Sequence, residues 1–290
     1  MPTAAYAIIT PVRNEGDRIE ETIDSVVKQT IRPSRWVLVD DGSADKTGPL
    51  IDAAAGKHPW IAAIHRPDRG FRKQGGGVIE AFYDGLKLVE QESWDFLVKL
   101  DGDLSFPGDY FENCFKRFAA DSRLGIGGGT IYGELNGARV EDSPGDPPFH
   151  VRGATKIYRR AAWQAIGGLI AAPGWDTLDE VKANMLGWRT YSFKDLPVLQ
   201  LKPTGSADGS WQNWVKNGLA NYVVGYHPLF MLAKCLRRAA ARCSPSVTVG
   251  LSWGFLSGYV KRVPRADPDV VRYVRQQQLK CLCFKPSLWS

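Results

Sequence analysis

Short apolar runs alternate with amphipathic stretches along most of the chain. Tyr6 to Thr10 reads as a buried strand stopped by Pro11. Ile19, Ile23, Val26 and Val27 then fall at i, i+4, i+7 and i+8, the stripe of an amphipathic helix. Trp36 to Val39 predicts a second strand, a helix begins near Asp45, and Ile61 to Ile64 predicts a third strand. Strand–helix–strand–helix–strand predicts a parallel, right-handed, doubly wound sheet. Val78 to Gln91 follows as a helix with Ile79, Phe82, Tyr83, Leu86 and Val89 on its core face. Phe96 to Leu100 is a buried strand that ends abruptly.

Beyond that strand the pattern continues less regularly. Asp109 to Ala120 predicts a helix and Ile126 to Tyr132 a strand. Glu134 to Pro148, rich in Gly, Pro and charge, reads as a loop or lid. Gly153 to Tyr158 predicts a strand, and Arg159 to Ile166 a helix closed by Gly167-Gly168. A helix up to Leu186 is stopped by Gly187, and Thr190 to Leu201 gives one or two strands. The fold class is therefore α/β, a Rossmann-like, mostly parallel sheet flanked by helices. Residues 206–290 form a separate, mainly helical extension, rich in apolar residues.

Charge separates the same two regions. The net charge is +6. Residues 210–290 hold twelve Lys or Arg against Asp267 and Asp269, which is +10, and the remainder is −4. A basic tail on a mildly acidic body points to an anionic partner, a membrane surface before nucleic acid, for which no motif is present. Ser244 to Val260 carries no charge, yet at 17 residues with three Gly and a Pro it is short for a membrane span. Apolar stretches flanked by basic clusters fit a segment lying in the membrane interface. The competing reading is a pair of buried helices that complete the core or a homodimer interface. Five scattered cysteines predict free thiols in a reducing cytosol. Residues 1–10 lack a basic start and a long apolar core, so no signal peptide is expected. Together these place the protein in the cytoplasm, with peripheral contact to the inner membrane face.

The candidate chemistry gathers where predicted strands end. Asp101-Gly102-Asp103 follows a buried strand, where open α/β sheets bind ligands. Two hard carboxylates suit Mg²⁺ or Mn²⁺, and Gly102 would leave room for close approach. Asp-Gly is also common in plain turns. Asp40-Asp41 ends another strand. The loop from His65 to Gly77, with Arg72 and Lys73, is a basic, glycine-rich entry to a helix and hence an anion site. Asp176, Asp179 and Glu180 crowd one predicted helix start. Capping needs one acid, so Asp176 could cap and leave Asp179 or Glu180 to act as a base. Trp175 offers a flat face for an acceptor sugar, with packing as the plain alternative. His150 stays outside the metal set. The combination suits transfer from a nucleotide diphosphate by direct displacement, with inversion if the group is a sugar.

These residues resemble glycosyltransferase family 2 with the GT-A fold, over about residues 6–205. Ile8 to Glu15 and Val39 to Thr47 look like the family's nucleotide-binding start, and Asp101-Gly102-Asp103 like its Asp-x-Asp motif. Tyr158-Arg159-Arg160, followed by Gly167-Gly168-Leu169, looks like its acceptor-side helix. The resemblance implies a nucleotide-binding half to about residue 105 and an acceptor half from 106 to 205. It implies that Pro11, Arg13 and Glu15 line the nucleoside pocket and that Asp41 or Asp40 bonds the base. Asp101 would contact ribose or metal, and Asp103 would ligate Mn²⁺ or Mg²⁺. The family's Glu-Asp pair reads Trp175-Asp176 here, which leaves the base among Asp176, Asp179 and Glu180. The expected activity is an inverting, metal-dependent hexosyltransferase. The donor would be a UDP-, GDP- or dTDP-sugar and the acceptor a glycan or lipid-linked saccharide. A polyprenol-phosphate sugar synthase and a non-catalytic nucleotide-sugar or glycan-binding module are the alternatives.

Overall fold

The computed structural model describes residues 4–70, 76–135, 137–202, 210–240 and 245–290. Five elements build the first half-sheet: β1 (Tyr6–Val12), α1 (Ile19–Val27), β2 (Arg35–Asp40), α2 (Thr47–Lys57) and β3 (Ile61–His65). Next come α3 (Gly77–Leu86), β4 (Phe96–Leu100), β5 (Leu104–Ser105) and α4 (Tyr110–Ala120). The second half holds β6 (Leu124–Leu135), β7 (Ala138–Glu141), β8 (Thr155–Arg159), α5 (Arg160–Ile166), α6 (Trp175–Met185) and β9 (Arg189–Gln200). Then follow α7 (Ser210–Val224), α8 (Pro228–Ala240), α9 (Pro245–Val260) and α10 (Pro268–Leu282).

The strands form one sheet in the order β3-β2-β1-β4-β8-β6-β9-β5, with β7 paired to β6. β3, β2, β1 and β4 are parallel to one another, as the sequence pattern predicts. β8 then runs antiparallel between β4 and β6. Helices cover both faces, which is why β1, β2 and β4 are apolar at nearly every position. Tyr6, Ile8, Trp36, Leu38 and Val98 pack on one face with α1, α2 and α4. Ala7, Ile9, Val37, Val39 and Leu97 pack on the other with α3, α5 and α6.

Three boundaries differ from the sequence expectation. β1 runs through Pro11 to Val12. The Val12 carbonyl accepts from Asp41 N–H at 2.8 Å, so it faces β2 and the Pro11 nitrogen faces the other way. Pairing with β4 has already ended there, at Ile9, so the missing N–H costs no ladder bond. α3 stops at Leu86 rather than Gln91, because Val89 turns inward and its carbonyl accepts from Trp94 Nε1 at 3.2 Å. The expected lid is partly strand, since Ala138–Glu141 pairs with β6 as β7 before the chain loops back.

The C-terminal helices have a core of their own. Tyr222, Val223, Met231, Leu251, Phe255 and Val274 pack there with Leu178 and Val181 of α6. The tightest contact is between α7 and α9, where glycines bring the backbones together. A Cβ on Gly254 would lie 2.0 Å from the Val215 carbonyl oxygen, and one on Gly218 would lie 2.1 Å from that of Leu251. Gly254→Val must therefore push α9 off α7. We expect it to destabilise the protein by about 1–3 kcal/mol, the usual cost of overpacking, measured as a lowered thermal midpoint.

Candidate active site

The carboxyl ends of β1, β2 and β4 lie side by side, and the chain leaves each into a loop that carries candidate residues. The loops after β1 and β2 are tied together. Asn14, at φ +53°, donates its N–H to Ser43 Oγ at 2.9 Å and accepts from Ala44 N–H at 2.9 Å. Arg13 donates to the Asp41 carbonyl at 2.9 Å and to Asp68 Oδ1 at 2.7 Å. Glu15 N–H donates to Thr47 Oγ1 at 2.9 Å. Pro11 is buried inside β1.

Asp40 and Asp41 are buried and already engaged, which changes their expected part. Asp40 accepts from Ser43 N–H at 2.8 Å and faces His65 Nδ1 at 3.2 Å. Asp41 takes the guanidinium groups of both Arg66 and Arg69. Both carboxylates thus tie the loop after β2 to the His65–Arg69 segment. Arg66 also pairs with Asp84 at 2.9 Å, which joins this segment to α3. Arg66 and Arg69 were missed from sequence, although they sit in the basic loop already singled out. Arg72 and Lys73 of that loop lie outside the described residues.

Asp101 and Asp103 leave the end of β4 in different surroundings. Asp101 receives the Lys99 ammonium and is 30% exposed. Asp103 is buried and accepts from Gln200 Nε2 at 3.1 Å. Burial first, then the charge of Asp101 and that of Glu15, push Asp103 up to about 7, against the Gln200 hydrogen bond. Glu15 joins this side of the pocket through Lys202, at 2.9 Å from its Oε1, while its buried Oε2 has no hydrogen-bond partner. Gln200 and Lys202, at the end of β9, thus reach from the second half of the sheet to the donor side. Nothing in their local sequence marks them. Gly102 does not open space for a ligand. A Cβ there would lie 2.5 Å from Val12 Cγ1 and 3.1 Å from Ile19 Cδ1, so it lets the turn pack on the core.

The carboxylates at Asp101 and Asp103 fit a hard divalent cation. Asp103, raised by burial and then by the charges of Asp101 and Glu15, and Glu15 Oε2, with no hydrogen bond and the Arg18 guanidinium at 4.0 Å, are what a cation would relieve. Among the described residues no group of three or more His, Cys, Asp or Glu could hold a metal ion. A cation here would complete its shell with substrate oxygens and water, as Mg²⁺ ordinarily does.

The structure separates the three acids of α6. Asp179 is buried, with Lys156 Nζ at 2.8 and 3.0 Å and Tyr158 Oη donating at 2.5 Å. Glu180 is fully buried and takes Lys156 Nζ at 2.8 Å, Val151 N–H at 2.7 Å and His150 Nδ1 at 2.8 Å. These two expected bases are structural partners of a buried lysine and have no open face. Asp176 alone lines a cavity, of about 430 Å³. Burial works against its charge, but His150, Lys156 and Arg152 outweigh it and hold the acid below its ordinary range. His150 is itself raised, since Glu180 outweighs the opposing effect of burial.

Trp175 is 9% exposed and not available to an acceptor sugar. The Lys99 and Lys156 ammonium groups sit 5.4 and 5.5 Å from its ring centre. The packing alternative holds, and the reason is that two buried cations occupy the ring. Those lysines were overlooked in the sequence, yet each leaves a signal, a Lys within a buried apolar strand.

A family model described as "Glycosyl transferase family 2" matches residues 7–168, more than half of the chain. The chain belongs to glycosyl transferase family 2. Among family relatives, a glycosyltransferase, GlyG, of Streptococcus pneumoniae is 24% identical over 132 residues, covering 45% of this chain and 41% of that protein. An undecaprenyl-phosphate 4-deoxy-4-formamido-L-arabinose transferase of Pseudomonas fluorescens is 28% identical over 147 residues, 49% of this chain and 38% of that one. The match thus spans about two-fifths of these relatives' own length. A mannosyltransferase of Pyrobaculum calidifontis, solved with GDP-Man and Mn²⁺, superposes with a TM-score of 0.57 at 20% identity. That superposition covers 98% of this chain and 76% of the other. Staphylococcus aureus TarS superposes with a TM-score of 0.56 at 18% identity, over 94% of this chain and 50% of that one. The GT-A fold of the family, with a C-terminal helical region, is therefore the fold of this chain.

Asp103 yields a test that needs no substrate. Its folded-state pKa lies above its unfolded value, so its stabilising contribution is full in acid and is lost as pH rises through about 7. In EDTA, the melting temperature of the wild type should fall relative to that of Asp103→Asn between about pH 4 and 7. Asp103→Asn should flatten its share of that slope. At about 1.4 kcal/mol per pH unit, the share is on the order of 4 kcal/mol. Parallel wild-type and variant curves would refute it.

Proposed function

We propose that the protein is an inverting, divalent-cation-dependent glycosyltransferase that moves a hexose from a nucleotide-diphosphate sugar to a hydroxyl acceptor in cell-surface glycan synthesis. One observation carries this reading. Asp101 and Asp103 stand at the end of β4 as a carboxylate pair with Asp103 held near neutrality, and Asp176 is the acid of its cluster that opens to a cavity. The Mn²⁺ and GDP-Man of the Pyrobaculum mannosyltransferase and the glycan-building relatives support the same class.

In this mechanism the loops after β1 and β2, with Arg13 and Glu15, receive the nucleotide. A cation held by Asp101 and Asp103 would supply charge neutralisation for the departing diphosphate. Asp176 takes the proton from the acceptor hydroxyl as it attacks the anomeric carbon. His150, Lys156 and Arg152 hold Asp176 in its ionised form, the form that accepts a proton. Trp175 and the lysines on either side hold α6, and with it Asp176, against β4 and β8.

Asp103→Ala should abolish the rise in melting temperature that UDP, GDP or dTDP gives with Mn²⁺. Asp176→Asn should keep that rise and lower kcat by about 10²–10⁴-fold, the usual share of a general base. A polyprenol-phosphate sugar synthase acts on an acceptor that is already anionic, so kcat unchanged in Asp176→Asn would select that reading instead. Binding of the nucleotide without transfer to any acceptor would select a binding module.

We further infer that α8 and α9 rest on an anionic membrane face. Leu229, Leu232 and Leu236 form one exposed stripe on α8, and Val249, Trp253, Leu256 and Val260 another on α9. α9 turns its glycines inward to α7 beside the buried Leu251 and Phe255, yet leaves Val249, Trp253, Leu256 and Val260 to solvent, an apolar face that a water-facing helix does not carry. Residues 210–266 carry eight Lys or Arg and no acid, and five remain when Lys234, Arg237 and Arg238, which line the cavity, are set aside. That charge suits anionic lipid and would repel a second copy of the same surface. Among the described residues no helix is long and apolar enough to cross a membrane. The protein should sediment with phosphatidylglycerol vesicles and not with phosphatidylcholine ones, and Trp253→Glu with Leu256→Glu should abolish this. Dimerisation lost in the same double variant, without vesicle binding, would assign the surface to a second copy.

A further inference from the structure

The cavity beside Asp176 is walled on its far side by the C-terminal extension. α8 supplies Lys234, Arg237 and Arg238, while Trp214, Tyr226 and Trp289 add aromatic surface. On the α6 side the charges are matched, Arg152 with Asp142 at 2.9 Å and His150 with Glu180 at 2.8 Å. On α8 they are not. No carboxylate of the described residues pairs with Lys234, Arg237 or Arg238 within 4.0 Å. Lys234 lies 5.1 Å from the Tyr226 ring centre, and Arg238 lies 4.9 Å from that of Trp214. The Arg238 Nε is buried with no hydrogen-bond partner.

A part-buried cation without a counter-charge is costly, as at Lys234 and Arg238, and the cost falls when an anion enters; Arg237 stands at the exposed edge. Burial, then the nearby Arg238, push Lys234 down to about 8. The charged lining is Arg152, Lys234, Arg237 and Arg238 against Asp146 and Asp176; with Asp142, the partner of Arg152, the balance is four minus three, or +1 before His150 is counted. A phosphate monoester carries about −1.5 to −2 near neutrality, and on α8 it would meet three cations that no carboxylate holds. Guanidinium groups also present paired donors to phosphate oxygens. At about 430 Å³ the cavity suits a small-molecule group.

We infer that this cavity is the acceptor site and that Lys234, Arg237 and Arg238 seat a phosphate group carried by the acceptor, whose reacting end lies toward Asp176. The assignment of the reacting end rests on the glycosyltransferase reading above, while the phosphate seat does not. The sources that share this chemistry are a lipid phosphate and a soluble sugar phosphate.

The test is direct binding to the full-length protein in EDTA, followed by tryptophan fluorescence. Farnesyl phosphate, farnesol, glucose 1-phosphate and glucose are the probes. Each phosphate probe that binds should bind at least about tenfold more tightly than its neutral counterpart, as expected for one charge-assisted hydrogen bond. Lys234→Gln with Arg238→Gln should remove that preference and leave the nucleotide-plus-Mn²⁺ rise in melting temperature intact. If the double variant does not fold, wild-type affinity for the phosphate probe should still fall with added NaCl while that for farnesol does not. A preference for farnesyl phosphate assigns a lipid source, and equal binding of glucose 1-phosphate a soluble one. Equal affinity for charged and neutral probes, or a phosphate preference that survives in a folded double variant, overturns the seat. Loss of the nucleotide response in the wild type would sink the glycosyltransferase reading and leave the seat standing.

Discussion

Two lysines face each other across the middle of the sheet. Lys99 of β4 and Lys156 of β8 are direct partners in the antiparallel register, and both are buried. Like charges placed opposite each other normally weaken a sheet, and buried ammonium groups normally do not survive unpaired. Here each lysine has its own anions. Lys99 takes Asp101 and the Gly153 carbonyl, and Lys156 takes Asp179, Glu180 and the Asp176 carbonyl. Trp175 lies within cation–π reach of both. The rest of the site hangs on this arrangement, because it joins the end of β4 to the start of α6. A shift in either lysine would move Asp101 at the end of β4 or the cavity acid Asp176.

This arrangement also explains why three acids stand within five residues at the start of α6. Asp179 and Glu180 neutralise a buried cation and hold His150 and Tyr158 in place. They are expensive to remove for reasons of folding rather than chemistry. Asp176 is spared that duty by contributing its backbone carbonyl to Lys156 while its carboxylate faces the cavity. The electrostatics of the two acids differ, since His150, Lys156 and Arg152 lower Asp176, while burial first and then acid neighbours raise Asp103.

The C-terminal helices do two things with two faces. Their inner side closes the cavity and carries unpaired cations into it. Their outer side keeps large apolar residues in contact with solvent, while on α9 glycines share the inward positions with Leu251 and Phe255. A body made of a parallel half-sheet and a mixed half-sheet thus gains a wall that differs in character from the rest of the molecule. That wall is where an acceptor would be distinguished from any other hydroxyl compound, while the donor side is built from the shared strands of the fold.

The sequence by itself determined the parallel half of the sheet, because strands buried on both faces must be apolar along their length and Gly and Pro mark their ends; β5, β7 and the antiparallel setting of β8 came from the tertiary structure. The sequence also placed the acids at strand ends, which is where such a sheet must bind ligands. It could not rank Asp176, Asp179 and Glu180, for all three look alike in a helix start. Their difference lies in Lys156, which β8 brings over them from twenty residues away along the chain. Nor could it show that Trp175 is enclosed, that Asp41 is held by Arg66 and Arg69, or that Gln200 and Lys202 reach the donor side. Those are facts of register and packing between distant segments. The charge excess of the tail was legible as a sum. Which of its cations turn inward to a cavity and which residues face solvent was decided only when α8 and α9 packed against α7 and the body.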